Sequence, residues 1–240
     1  MAPRTEAAEF RPPQQARSRA ALQKLLIAAE DVLVNDGLDE FTIAAVAERA
    51  GVSVGGVYRR FSGKEQLIEA IINGLLEHLE STVTESLGTA EPSLGGVIEA
   101  FTHALATSFT RSGRVASTLA AGQRTPETAQ RALQTLTVLQ RLFLDAAAPH
   151  GHQIVQTAQS TALTTTLRTI IGAGAHRAAA IEWWPDGLTW EQWADQIAAM
   201  ATTYLTTPDR RGQHARARTP ADQGPRSLRS NANPGLAQFG

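Results

Sequence analysis

The residues Gly51-Val52-Ser53-Val54-Gly55 fit the G-x-S-x-G expression of a nucleophile elbow. That chemistry requires a strand before the serine and a helix after it, so that a strained turn presents the hydroxyl. Close behind stand Tyr58, Arg59, Arg60 and Lys64. They offer a different chemistry: arginine forks match phosphate oxygens or guanine O6 and N7, and a tyrosine hydroxyl donates to phosphate. His150-x-His152 supplies two imidazoles, but no carboxylate or third histidine is placed beside them, so they read as a solvated loop and no metal site is expected. The sequence contains no HExxH, P-loop or dinucleotide fingerprint. It also contains no cysteine, which excludes disulfides, thiolate metal sites and a cysteine nucleophile.

The elements that hold Ser53 decide between these chemistries. Ile43, Val46, Ala47 and Ala50 recur at three- and four-residue steps, which predicts one face of a helix. Thr42 is placed to cap it, and Gly51 to end it in the left-handed conformation. Val52 is expected to be buried in the turn. Ser53 then caps a helix over 53–60 in which Val57 and Phe61 face inward and Gly55, Tyr58 and Arg59 face outward, flanked by Gly56 and Arg60. Ser62-Gly63-Lys64-Glu65 has the spacing of a capping box, predicting a further helix. A helix therefore precedes Ser53, and no parallel-sheet pattern is present, so Ser53 is read as a cap and an enzyme is not expected. Two adjacent glycines cost about 1 kcal/mol each in a helix, which points to close approach of another body. Lys64 opposes the dipole of the helix it begins, so it is read as serving a partner.

Residues 22–79, most clearly 42–67, resemble the DNA-binding domain of the tetracycline-repressor (TetR) family of bacterial transcription regulators. The resemblance rests on Thr42, Ala50-Gly51-Val52-Ser53, Gly55, Tyr58, Phe61 and Lys64-Glu65-Gln66-Leu67. It departs at Gly56, where threonine or alanine is common, and at Arg60, where histidine is frequent. It implies an all-α fold with a helix-turn-helix domain followed by a helical ligand-binding and dimerisation domain. DNA contacts are then expected from Thr42, Ser53, Val54, Gly55, Gly56, Tyr58, Arg59, Arg60 and Lys64. Val54 either touches a thymine methyl or packs. The implied function is that of a ligand-responsive regulator, a repressor released from a near-palindromic operator. Its implied partners are double-stranded DNA, a small-molecule effector and a second copy of the chain, with no cofactor. Two other readings are a helical hydrolase using Ser53 and a helical scaffold for a protein partner.

The 240 residues carry 22 basic and 23 acidic side chains, so placement matters more than net charge. Arg17, Arg19, Lys24, Arg49, Arg59, Arg60 and Lys64 cluster around the expected reading head. Aromatics make up 5% and strand alternation is nearly absent. No stretch approaches the roughly 20 apolar residues of a membrane span, nor the apolar core of a signal peptide, so a cytoplasmic protein is expected. The layout read from composition is a flexible arm over 1–16, the DNA-binding domain with its connecting helix over 17–87, the second domain over 88–206 and an arginine-rich disordered tail over 207–240. Leu22, Leu25, Leu26, Ala29 and Leu33 form the buried face of the first helix, and Ile68, Ile72, Leu75 and Leu79 that of the connecting helix. Further helices are predicted near 93–111, 114–123, 126–148, 152–180 and 189–206. The stripe Ala129, Ala132, Leu136, Leu139, Phe143 and Ala146 is the expected core face of the third of these.

In the resemblance the last two helices, 152–180 and 189–206, pair with a second subunit. Ala158, Ala162 and the threonines of 161–166 permit close approach there, and Trp190, Trp193, Ile197 and Tyr204 are anchors. Phe101, His103, Phe109, Gln140, Phe143 and Thr165 are the candidates for lining a ligand pocket.

Overall fold

The computed structural model describes the backbone of residues 14–120 and 125–208, and side-chain surroundings for 18–110 and 125–208. Most of the arm and nearly all of the tail lie outside the described residues. The elements in chain order are α1 (Gln14–Asn35), α2 (Gly37–Glu40), α3 (Ile43–Ala50), α4 (Val54–Tyr58), α5 (Lys64–Gly88), α6 (Leu94–Ala120) and α7 (Pro126–Ala147). A 3-10 turn (Ala148–Gln153), α8 (Gln159–Ala180) and α9 (Trp190–Thr206) complete them. Among the described residues there is no strand, and no helix is long and apolar enough to cross a membrane.

Two hydrophobic cores are joined by one helix. The head core gathers Leu25, Ala29, Val32 and Leu33 of α1, Phe41, Val46 of α3 and Val57 of α4 around Leu67 and Ile71 of α5. The body core gathers Leu94, Ile98, Phe101 and Leu105 of α6 with Leu139 and Phe143 of α7, Leu167 and Ile170 of α8 and Leu205 of α9. Val83 of α5 belongs to this second core. The Phe101 and Phe143 rings meet at 5.0 Å in a tilted pair, a geometry that adds about 0.5–1.5 kcal/mol to their burial. The connecting helix thus buries Leu67, Ile71 and Val83, while Ile68, Leu75 and Leu79 pack at the margins of the two cores.

Local chemistry accounts for the helix boundaries. Gly37 takes φ +85° and separates α1 from the single turn α2, which the periodicity does not reveal. The Thr125 hydroxyl accepts from the Thr128 N–H ahead of Pro126, and Thr189 with Gln192 forms a capping box at the start of α9. Other expectations are corrected. The break near 112–113 is absent and α6 runs unbroken to Ala120. The α8 helix begins at Gln159, because Pro149 and its neighbours form the 3-10 turn first. The α7 core face is Thr128, Thr135, Leu139, Phe143 and Ala147, while Leu136 is exposed. Polar chemistry turns that helix: the Thr135 hydroxyl donates to Glu80 of α5 at 2.6 Å, and Arg131 donates to the same carboxylate oxygen at 2.8 Å. The Arg131 guanidinium, helped by Thr135, holds the Glu80 carboxyl below its ordinary pKa.

Candidate nucleic-acid interface

Two capped helices and a tight turn build the outer face of the head. The Thr42 hydroxyl accepts from the Ala45 N–H at 3.1 Å and opens α3. Gly51, at φ +64°, closes it, with its N–H donating to the Glu48 carbonyl and the Val52 N–H to that of Ala47. This paired closure satisfies carbonyls at the helix end, and glycine adopts the required left-handed conformation without a Cβ penalty. Val52 is 37% exposed, contrary to its expected burial. Ala50, Val46 and Val57 already fill the space beneath the turn, which leaves Val52 outside.

Ser53 then accepts from the Gly56 N–H at 3.0 Å and caps α4. Val57 is fully buried and Phe61 nearly so, so one side of this short helix is fixed against the head core. Its other side presents Val54, Gly55, Tyr58 and Arg59, all exposed. A Cβ on Gly55 would meet nothing, so a partner can approach the backbone there. A Cβ on Gly56 would stand 3.2 Å from the Ser53 hydroxyl and 3.6 Å from the Arg59 guanidinium, so glycine gives the cap its room.

The cations around this face are of two kinds. Arg59 and Tyr58 are exposed, and Lys24 lies within reach of the turn, its Nζ 3.8 Å from where a Gly51 Cβ would stand. Arg60 is exposed and its guanidinium reaches the Ser18 hydroxyl of α1 at 3.4 Å, a partner the sequence does not reveal. Arg49, counted above among the cations around the reading head, donates to Asp31 and Asp36, and the hydrogen bond to Asp31 raises its pKa. Lys64 donates to the Leu38 carbonyl at 2.8 Å and sits 5.7 Å from the Phe41 ring centroid. Its charge therefore ties α5 to the α2 turn. The expected capping box at Ser62 does not form: Gly63 is the cap residue, and the Ser62 N–H donates to Gln66 Oε1 at 2.6 Å.

Residues 25–71 match the family described as "Bacterial regulatory proteins, tetR family". The matched segment runs from α1 into the start of α5 and so covers the head. The HTH-type transcriptional regulator TtgW of Pseudomonas putida is 33% identical over 73 residues, 30% of this chain and 54% of that relative. The match thus spans about half of the relative's length. The fatty acid degradation regulator FadR of Bacillus halodurans superposes with TM-score 0.61 at 12% identity, covering 75% of this chain and 93% of that structure. FadR of Bacillus subtilis, solved in complex with stearoyl-CoA, superposes with TM-score 0.57 at 14% identity, covering 77% and 99%. At these identities the likeness shows the fold. This likeness of fold extends beyond the head into the body.

Within the body the six candidate pocket residues are distributed over several places. Phe101 and Phe143 are fully buried against each other and fill the interior. Gln140 is half-buried on α7. His103 of α6 pairs with Asp195 of α9 at 3.0 Å, and Phe109 stacks on Trp190 at 5.3 Å. Thr165 lines an open, almost wholly apolar cleft of about 230 Å³ between α8 and α9, with Thr166, Thr169, Ile170, Met200 and Tyr204. Of the expected dimer anchors, Trp193 is buried in the chain's own core, Trp190 and Ile197 are half-buried, and Tyr204 is 46% exposed.

The turn between α8 and α9 holds residues that periodicity did not single out. Trp183 and Trp184 are 72% and 65% exposed, although they are large and apolar. Arg177, nearly buried, braces the turn behind them. It donates to both Asp186 carboxylate oxygens at 2.7 and 3.0 Å, donates to the Leu188 carbonyl at 2.6 Å, and lies 4.2 Å from the Trp190 ring centroid. The guanidinium, with the Leu188 N–H, lowers the Asp186 pKa to about 2.

Proposed function

We propose that the chain is a homodimeric transcription regulator that binds operator DNA through α4 and is released by a small molecule. The observation that carries this reading is α4 itself. It is a capped five-residue helix, locked on one side by Val57 and bare on the other at Val54, Gly55, Tyr58 and Arg59. Two such heads read successive major grooves about 34–36 Å apart, with direct contacts from α4 and phosphate contacts from the surrounding cations. Arg59 is the principal base or phosphate contact, and Tyr58 a phosphate donor. Thr42 and Ser53 act through their caps, which aim the helix N-termini. Lys64 contributes chiefly by holding the α5 start in place.

The hydrolase reading loses its support in the geometry. The Ser53 hydroxyl is engaged as a cap, and the element before it is a helix rather than a strand. The relatives are transcriptional regulators, which favours a regulator over an enzyme. In the repressor reading the effector binds the body, and α5, which contributes to both cores, carries its effect to the head. The coupling is reciprocal: an effector that weakens operator binding itself binds the DNA complex less tightly.

The test is a mobility-shift titration of the full chain on the DNA upstream of its own gene. Binding is expected at low salt and to weaken steeply as salt rises through counterion release. Arg59→Ala is expected to weaken specific binding by about tenfold or more, equivalent to 1.4 kcal/mol or above. A chain that shifts no upstream fragment at low salt, or an Arg59→Ala variant of unchanged affinity, refutes the placement of the interface on α4.

A further inference from the structure

The α8–α9 cleft holds a polar group that the chain itself does not use. Thr166 is 4% exposed and lines the cleft, yet its hydroxyl has no hydrogen-bond partner. Hydroxyls on α6 and α9 behave differently. Thr102 donates to the Ile98 carbonyl, Ser108 to that of Ala104, Thr203 to that of Ala199 and Thr206 to that of Thr202. A bond to the carbonyl four residues back is the local outlet for a hydroxyl inside a helix. Thr166 does not make it, so its donor and its acceptor capacity are both free. Buried polar groups are nearly always paired, so one that is not calls for a partner from outside the chain.

The walls around that hydroxyl restrict what the partner can be. Ile170 and Ala201 form the buried wall, Ile197 is half-buried, and Met200 and Tyr204 stand exposed at the margin. Among the described residues that line the cleft, none is charged. A carboxylate or phosphate would lose hydration there with no cation to compensate. The volume of about 230 Å³ sets the size. Sites for drug-sized ligands run from about 300 Å³ upward, and about 150 Å³ holds one benzene ring. The space therefore suits a single ring with a short substituent. The Met200 thioether and the Tyr204 ring favour an aromatic one, through sulfur–aromatic and edge contacts.

We propose that the cleft binds an uncharged, single-ring aromatic molecule whose one hydroxyl or carbonyl group pairs with Thr166. The ring lies against Ile170, Ile197 and Ala201 and meets Met200 and Tyr204 at its outer edge. The binding stands on the chemistry of the cleft. That its occupant is the effector rests on the proposed function, and places the effector between α8 and α9.

Fluorine NMR of the full chain at millimolar probe concentration tests this. The probes are 4-fluorophenol, fluorobenzene and 4-fluorobenzoate, which share a ring and differ in one group. 4-Fluorophenol is expected to bind about tenfold more tightly than fluorobenzene, a difference of about 1.4 kcal/mol, and 4-fluorobenzoate not to bind. Thr166→Val keeps the shape and removes a hydroxyl that has no partner, so the chain should fold as wild type does. It is expected to lower the affinity for 4-fluorophenol to that for fluorobenzene and to leave fluorobenzene unchanged. Met200→Ala, at a 60% exposed position, is expected to weaken both neutral probes by a similar factor.

A wild type that takes neither neutral probe overturns the proposal, including one that pairs with a second copy over the cleft and shuts the probes out. A preference for 4-fluorophenol that survives in Thr166→Val places the binding elsewhere and also overturns it. So does 4-fluorobenzoate binding as tightly as the phenol. Operator DNA tests the role of the site separately. An effector that releases DNA is held less tightly by the DNA complex, so saturating operator is expected to weaken 4-fluorophenol binding, and equal affinity with and without operator overturns the effector role. A chain that binds the probes as expected but shifts no DNA leaves the site standing and refutes the proposed function.

Discussion

Replacing Asp186 by asparagine should destabilise the protein in a manner that depends on pH. The folded carboxyl has a pKa near 2 because Arg177 donates two hydrogen bonds to it. An unfolded aspartate titrates at about 3.9, so the gap of about 2 units corresponds to at most ~2.6 kcal/mol. The Asp186 side chain is 36% exposed, and solvent screening reduces the expected value to roughly 1–2 kcal/mol. The folded pKa is depressed, so this stability is fully present above about pH 4 and is lost as pH falls towards 2. Asparagine keeps one acceptor oxygen for the guanidinium but no charge. Urea unfolding of wild type and Asp186→Asn, followed by circular dichroism, should therefore show a gap of roughly 1–2 kcal/mol at pH 7 that narrows at pH 3 and closes near pH 2. Comparing the two chains at each pH cancels the other carboxyls. No gap at pH 7, or a gap that is the same at pH 7 and pH 3, would refute the assignment of this stability to the Arg177–Asp186 charge pair.

Three other substitutions probe the head and the body. Ser53→Ala removes the α4 cap and should cost about 1 kcal/mol in urea unfolding, with weaker operator binding measured by anisotropy; unchanged values of both would remove Ser53 from the cap. Lys64→Met should lower stability by about 1 kcal/mol through loss of its bond to the Leu38 carbonyl, and should weaken DNA binding less than Arg59→Ala does, a ranking that the same titrations check. Gly174→Ala should cost about 1–3 kcal/mol by overpacking, since a Cβ there would stand 2.8 Å from Phe109 and 3.1 Å from Trp193. Gly172→Ala, at an exposed position where a Cβ meets nothing, should leave unfolding unchanged or slightly improved, so equal effects at the two positions would contradict these surroundings.

What could be read from sequence follows the range of the interaction responsible. The caps at Thr42 and Ser53 were legible because each is a hydrogen bond spanning three residues. The inward pair Val57 and Phe61 was legible because helical spacing alone places both on one side. Val52 and Lys64 were not, because their surroundings come from elsewhere: the filled space under the turn in one case, and the α2 turn with Phe41 in the other. The α7 stripe was misread for a related reason. Leu136 looks like a core residue and Thr135 like a surface one, yet a polar partner on another helix inverts them. The spacing predicts separate helices over 93–111 and 114–123, but the one glycine between them, Gly113, costs only about 1 kcal/mol, and α6 packs against α5, α8 and α9.

The Arg131–Thr135–Glu80 cluster fixes α5 near its middle, between the head residues Leu67 and Ile71 and the body residue Val83. From Glu80 back to Lys64 the helix rises about 24 Å at 1.5 Å per residue. A rotation of five degrees about that clasp therefore carries the Lys64 end through about 2 Å. Distances of this size separate a hydrogen bond from no contact, and the two heads of a dimer would move together. Under the proposed function, the mechanical advantage of the helix, rather than any large rearrangement, is enough to bring two reading surfaces into or out of step with a groove.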